Sequence, residues 1–132
     1  MDIVVDSSTI IAVVANEPEK GKLIELTRGA NLIAPQSIHW EIGHAFSAML
    51  RRRRITVDQA LSAVRLYRKI PIRFVAIEME DALRIANALG VYACDAYLIQ
   101  CALKYRAPLL SLDQQLVEGA KKMAAGVMEV TT

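Results

Sequence analysis

Short apolar runs rich in β-branched residues alternate along this chain with stretches of helical periodicity, and this alternation limits the fold more than any other feature. Residues 3–5 are Ile, Val and Val, a wholly apolar run that suits a strand covered on both faces. The predicted strands are residues 3–5, 31–34, 72–77, 108–112 and 127–130. The predicted helices are residues 7 to about 16, 22–28, 38–52, 57–69, 80–89, 93–105 and 114–123.

Strands that alternate with helices favour an α/β fold built around a parallel sheet. We therefore expect one domain over residues 1–132, a three-layer sandwich with a mainly parallel five-stranded sheet flanked by helices. The composition, 54% hydrophobic and 23% charged, excludes a disordered chain. No apolar run is long enough to cross a membrane, so no membrane association and a cytoplasmic location are expected.

The two cysteines, Cys94 and Cys101, are seven residues apart in one predicted helix. That spacing separates them by roughly 10 Å along the helix axis, which is beyond disulfide reach. Both are predicted to be small apolar fillers of the interior.

Four acidic residues occupy positions where a carboxylate is unusual. Asp6 follows the apolar run 3–5 directly, and Asp113 follows the run 108–112. Glu41 and Asp95 lie within the apolar stripes of their predicted helices, where a surface helix would carry hydrophobic side chains. The carboxyl ends of parallel strands meet at one edge of a sheet, so Asp6 and Asp113 are expected to lie at the same edge.

Carboxylates that converge in a partly buried site repel one another unless a positive charge lies between them. Carboxylate oxygens suit Mg²⁺ or Mn²⁺, which can polarise a phosphodiester and supply a nucleophile. Ordinary explanations remain open: Asp6 and Asp113 could each cap the following helix, and Asp95 could complement a helix dipole.

Basic residues are concentrated in one part of the chain: eight of the sixteen lysines and arginines lie between positions 51 and 73. Arg51, Arg52, Arg53 and Arg54 are consecutive and predict contacts with RNA phosphates. The alternative is a solvated cluster at a helix end, favoured by the helix dipole. Trp40 and Tyr97 are interpreted as core or rim residues, with base stacking as the alternative.

Four short segments, in this order and spacing, resemble a PIN-domain ribonuclease, and most closely the VapC toxins of type II toxin–antitoxin pairs. The resemblance covers essentially the whole chain. The segments are Val4-Val5-Asp6-Ser7-Ser8, His39-Trp40-Glu41-Ile42-Gly43-His44-Ala45, Cys94-Asp95-Ala96-Tyr97-Leu98 and Ala107-Pro108-Leu109-Leu110-Ser111-Leu112-Asp113.

The resemblance implies metal-dependent endoribonuclease activity, with an acidic quartet of Asp6, Glu41, Asp95 and Asp113 that binds Mg²⁺ or Mn²⁺. In this interpretation the first three hold the main ion, while Asp113 tunes the site or assists a second ion. It further implies an RNA substrate, a homodimer and a cognate antitoxin protein that blocks the site.

Two further features of the family pattern concern hydroxyls and a histidine. Ser7 and Ser111 match positions where relatives often carry a hydroxyl near the metal. One residue departs from the pattern: His44 stands where many relatives have Asn, three residues after the helix glutamate. The polar contact at that position is therefore open, and His44 could equally be an ordinary residue of the helix face.

Two other functions stay open. One is a catalytically silent PIN-fold module that binds RNA or a peptide without cutting it. The other is a receiver-like signalling domain, which also collects acids at strand ends but needs a lysine on a late strand. The predicted strands 108–112 and 127–130 contain no lysine, which disfavours that function.

Overall fold

The computed structural model describes residues 1–130, and these form four strands and seven helices. Two helices separate each strand from the next, as the apolar periodicity predicts. The strands are β1 (Asp2–Val5), β2 (Asn31–Pro35), β3 (Ile72–Val75) and β4 (Leu109–Leu110). The helices are α1 (Ser7–Val14), α2 (Lys20–Thr27), α3 (Ser37–Arg51), α4 (Val57–Lys69), α5 (Met79–Leu89), α6 (Ala93–Tyr105) and α7 (Gln114–Lys122).

The strands form one parallel sheet in the order β3-β2-β1-β4. Since β1 is paired on both sides, its apolar residues are buried, as expected for a central strand. Val5 pairs with Leu110 in the register of β1 and β4. The residues that follow this pair, Asp6 and Ser111, therefore leave the sheet side by side.

Helix α6 contributes many residues to the hydrophobic core, because it packs against β1, β2 and β4 as well as α5 and α7. Leu98, Ile99 and Cys101 on this helix are almost fully buried. Helix α1 packs against α2, α3 and α4. The α/β fold with a parallel sheet flanked by helices is thus confirmed.

Local capping fixes where several helices begin and end. Thr56 and Gln59 form a reciprocal capping box at the start of α4. Asp6 caps α1 by accepting a hydrogen bond from Thr9 N, and Asp113 caps α7 through Gln115 N and Leu116 N. The ordinary capping roles of these two acids are therefore real.

The expected five strands are reduced to four in residues 1–130. The segment 127–130 contributes only an isolated bridge from Val127 to Leu109, so it forms no fifth strand. β4 is also shorter than the predicted 108–112. The backbone N–H of Leu112 donates to Ser8 Oγ and that of Asp113 donates to Ser111 Oγ, so neither continues the sheet ladder.

Among residues 1–130, no single helix has both the length and the apolar character to cross a membrane. Helices α5 and α6 are long and apolar enough only when their lengths are combined, and the chain bends by 116° between them.

Candidate functional site

Asp6 is the most deeply buried carboxylate of the site, with 3% of its surface exposed. Ser8 Oγ donates to its two oxygens at 2.8 and 2.9 Å, and Ser111 Oγ donates to Oδ2 at 2.5 Å. The backbone N–H of Thr9 donates to Oδ1 at 3.1 Å. Burial raises the pKa of Asp6, while these hydrogen bonds oppose the rise by stabilising the charged form. The side chain is thus fixed in place by β1, α1 and the end of β4.

Glu41, on the second turn of α3, is half-buried, and its Oε2 atom is buried without a hydrogen-bond partner. Burial, together with repulsion from Asp6 and Asp95, raises the pKa of this carboxyl to about 7. An unpartnered buried carboxylate oxygen is costly in a folded protein. The unpartnered Oε2 atom of Glu41 therefore indicates a position where a bound ligand would supply the missing interaction.

Asp95, in the first turn of α6, is also half-buried. Its pKa is raised by burial, and further by the negative charges of Asp113 and Asp6. Asp113 itself is exposed to solvent at the start of α7. Each of the four acids therefore lies close enough to at least one other for their charges to repel.

Two of the acids, Glu41 and Asp95, each line a different cavity. Glu41 contributes to a cavity of about 630 Å³ together with Ser7, Ser37, Trp40 and the α3 residues His44 and Ala45; Cys94 completes the wall. Asp95 lines a second groove of about 490 Å³ between the start of α6 and α7.

The donor set suits a hard cation. Four carboxylates share the site, Glu41 has a free buried oxygen, and no lysine or arginine forms an ion pair with any of them within residues 1–130. No three side chains of the His, Cys, Asp and Glu types are grouped in these residues so as to hold an ion by themselves. Mg²⁺ commonly binds through one or two carboxylates and keeps its other ligands as water, so the residues fit that ion.

The four arginines are at the opposite end of α3 from the glutamate. Arg51 ends the helix and Arg52, Arg53 and Arg54 form the following turn, all exposed. Ten residues separate Glu41 from Arg51, which is roughly 15 Å along the helix axis. The arginines therefore flank the acidic site and do not neutralise it.

The structure places some residues differently from the sequence interpretation. Ser7 lines the Glu41 cavity, whereas Ser8, which was not singled out, is the residue that binds Asp6. The expected burial of Cys94 is wrong, because its side chain is exposed beside Glu41, while Cys101 is buried as predicted. Of the core and rim positions expected for Trp40, the structure excludes the core, because the residue is 70% exposed and lines the Glu41 cavity.

Residues 3–122 match the PIN domain family. The chain belongs to this family. No curated protein sequence matches the chain.

The PIN-domain fold of this chain is also that of several solved structures. PAE2754 from Pyrobaculum aerophilum superposes with a TM-score of 0.71 at 22% identity, covering 98% of this chain and 92% of that one. VapBC2 from Rickettsia felis, bound to a DNA fragment of its promoter, gives 0.66 at 11% identity, with coverage of 98% for both chains. VapC20 from Mycobacterium tuberculosis, a toxin that cleaves the sarcin–ricin loop, gives 0.65 at 17% identity, with 98% and 99% covered. These likenesses confirm the expected PIN fold.

Proposed function

We propose that this PIN-domain protein is a Mg²⁺- or Mn²⁺-dependent endoribonuclease and the toxin of a toxin–antitoxin pair. The observation that carries the proposal is a set of carboxylates that repel one another beside the carboxyl ends of β1 and β4. Within this set, Glu41 Oε2 is buried without a hydrogen-bond partner. Family membership and the similarity in fold to VapC20 and VapBC2 support the same assignment.

Asp6, Glu41 and Asp95 would hold the ion, in part through bound water, since no three such side chains in residues 1–130 are grouped to ligate it by themselves. Asp113, at the exposed edge, would tune the site or assist a second ion. When bound, the ion supplies Lewis acidity toward the phosphodiester oxygens. Ser8 and Ser111 fix the Asp6 carboxylate and favour its charged form by donating hydrogen bonds to it, which opposes the rise in its pKa caused by burial. Burial and the charges of Asp6 and Asp95 raise the pKa of Glu41 to about 7, so this side chain would have to be deprotonated to serve as a ligand.

The proposed partners follow from the same assignment. RNA is the substrate, and Arg51, Arg52, Arg53 and Arg54 are candidate contacts for its phosphates. A cognate antitoxin protein would occupy the acidic site, two copies of the chain would form a homodimer, and the protein would act in the cytoplasm.

The decisive experiment is cleavage of total RNA by purified protein with Mg²⁺, with Mn²⁺ and with a chelator. We expect metal-dependent cleavage by the wild type and its loss in Asp6→Asn and Asp95→Asn, each still folded by circular dichroism. Asp81→Asn, an exposed aspartate on α5, removes the same charge outside the site and should cleave normally. Equal cleavage by all four proteins would indicate a contaminating nuclease and refute the proposal.

A second candidate is a catalytically silent module that binds RNA or a peptide. The absence, within residues 1–130, of three side chains arranged to hold an ion favours it. This alternative predicts RNA binding by the folded wild type with no cleavage in either Mg²⁺ or Mn²⁺.

A further inference from the structure

Trp40 is the only tryptophan of the chain, and 70% of its side chain is exposed. It stands at the opening of the 630 Å³ cavity that also contains Glu41. The indole therefore presents an accessible aromatic face beside the carboxylate of Glu41, where a ligand that enters the cavity can contact it.

The indole has one aromatic neighbour among the described residues. The ring of His39 meets it edge to face, with centroids 4.8 Å apart and an interplanar angle of 83°. His39 is in turn fixed by a 2.9 Å hydrogen bond between its Nδ1 and the hydroxyl of Tyr67, a buried residue of α4. Trp40 thus packs against an ordered aromatic neighbour, while most of its surface remains accessible. This arrangement favours stacking of a planar ligand on the indole, because the ring is already held in position before the ligand binds.

Trp40 begins a stripe of exposed residues that runs along α3. Trp40, His44, Ser47 and Arg51 are spaced by four, three and four residues, so they lie on one face of the helix, and all four are exposed. We call them the α3 stripe. It extends roughly 16 Å, from the Glu41 cavity to the arginine cluster at the helix end.

The chemistry of the α3 stripe fits single-stranded nucleic acid better than a peptide. A peptide helix or strand docks through several apolar anchors, and Trp40 is the only apolar member of the stripe. One aromatic surface combined with a cationic end is the pattern by which proteins hold single strands, with bases stacked on rings and phosphates attracted to arginine.

We propose that the α3 stripe is the path of the RNA strand into the acidic site, with one unpaired nucleobase stacked on Trp40 and phosphates held near Arg51. This inference rests on the proposed ribonuclease function. A base inside a duplex cannot stack on an indole, so the proposal requires an unpaired nucleotide at Trp40.

Intrinsic fluorescence tests the proposal directly, since Trp40 is the sole indole. The probe is a 12-nucleotide oligoadenylate in Ca²⁺, with gels verifying that it stays intact, and the matching duplex RNA serves as comparison. We expect the single strand to quench Trp40 emission at saturation and the duplex to quench it far less. Unchanged emission in the presence of bound single strand would overturn the proposal.

Variants measured by anisotropy of labelled RNA supply the second readout. Trp40→Leu should raise Kd about tenfold, whereas Trp40→Phe, which keeps a ring, should raise it less than about threefold. Arg51→Gln should lower the slope of log Kd against log salt by about 0.7, and Arg65→Gln, an exposed arginine on α4, should leave the slope unchanged. A Kd unaffected by Trp40→Leu would refute the stacking surface.

Two further outcomes separate this inference from the proposed function. If wild-type protein cleaves RNA in Mn²⁺ but Trp40→Leu alters neither binding nor cleavage, the α3 stripe fails and the nuclease stands. If RNA quenches Trp40 but no cleavage occurs in any metal, the nuclease fails and the stripe stands as a binding surface. Emission that depends on protein concentration without RNA would assign the face to a second copy and overturn the inference.

Discussion

Replacing Glu41 with Gln should stabilise the metal-free protein at alkaline pH. The carboxyl has a pKa of about 7 in the folded protein, raised from 4.5 by burial and by Asp6 and Asp95. An acid whose pKa is raised by folding is protonated in the folded state at pH values where the unfolded chain has already lost the proton. Stability is therefore lost as the pH rises from about 4.5 through 7, and the loss is complete above that range.

The size of the effect follows from that interval. About two and a half pH units at about 1.36 kcal/mol each set an upper bound of about 3.4 kcal/mol. Because the side chain is only half-buried, solvent screens the repulsion, and we expect about 1–1.5 kcal/mol. For a domain of this size that corresponds to a rise in Tm of about 4–5 °C for Glu41→Gln at pH 8.5, and to almost no change at pH 4.5.

The assay is thermal unfolding followed by circular dichroism in a chelator, from pH 4.5 to 8.5. Glu25→Gln is the matched control, since this glutamate is exposed on α2. The control should follow the wild type at each pH, and Glu41→Gln should separate from both as the pH rises. Parallel curves for all three proteins would show that Glu41 is not held in a repulsive, desolvated position, and the account of the site given above would be wrong.

Three shorter predictions concern the ion and the supporting hydrogen bonds. Mn²⁺ at 100 times its Kd should stabilise the wild type by about 2.7 kcal/mol and Glu41→Gln by clearly less, which melts with and without the metal would measure. Ser111→Ala removes a hydrogen-bond donor to Asp6 and the acceptor of the Asp113 N–H. The free energy of unfolding, measured in urea, should fall by about 1–3 kcal/mol. The fall should be larger at pH 8 than at pH 5, because loss of the donor raises the pKa of Asp6 further. Thr56→Ala removes the capping box of α4 and should cost about 1 kcal/mol in the same assay, with no change in divalent-ion binding.

Much of the fold follows from local sequence. The apolar run at residues 3–5 and the helical periodicity of residues 57–69 and 80–89 each depend on neighbouring residues alone, and the elements they predict are present. The unusual burial expected of Glu41 was likewise visible, because helical periodicity places it within the apolar stripe of α3.

Periodicity indicates which face of a helix is apolar, but not what packs against the rest of it. Trp40 and Cys94 illustrate this limit. The sequence predicts an apolar filler of the interior at Cys94 and a core or rim residue at Trp40. Both residues are exposed beside Glu41, because the elements around α3 and α6 leave a cavity open there. The signal that could have identified Trp40 was its spacing with His44, Ser47 and Arg51 on a single helix face.

The sequence alone determined the alternation of strands and helices and the placement of acids after β1, after β4 and within two helix stripes. Only the tertiary structure decided that Asp6 and Ser111 are neighbours, because the register of Val5 with Leu110 joins segments more than 100 residues apart. The same pairing directs the N–H groups of Leu112 and Asp113 to serine side chains, which shortens β4. Local propensities act within a few residues, whereas pairing between distant strands is set by the packing of the whole chain.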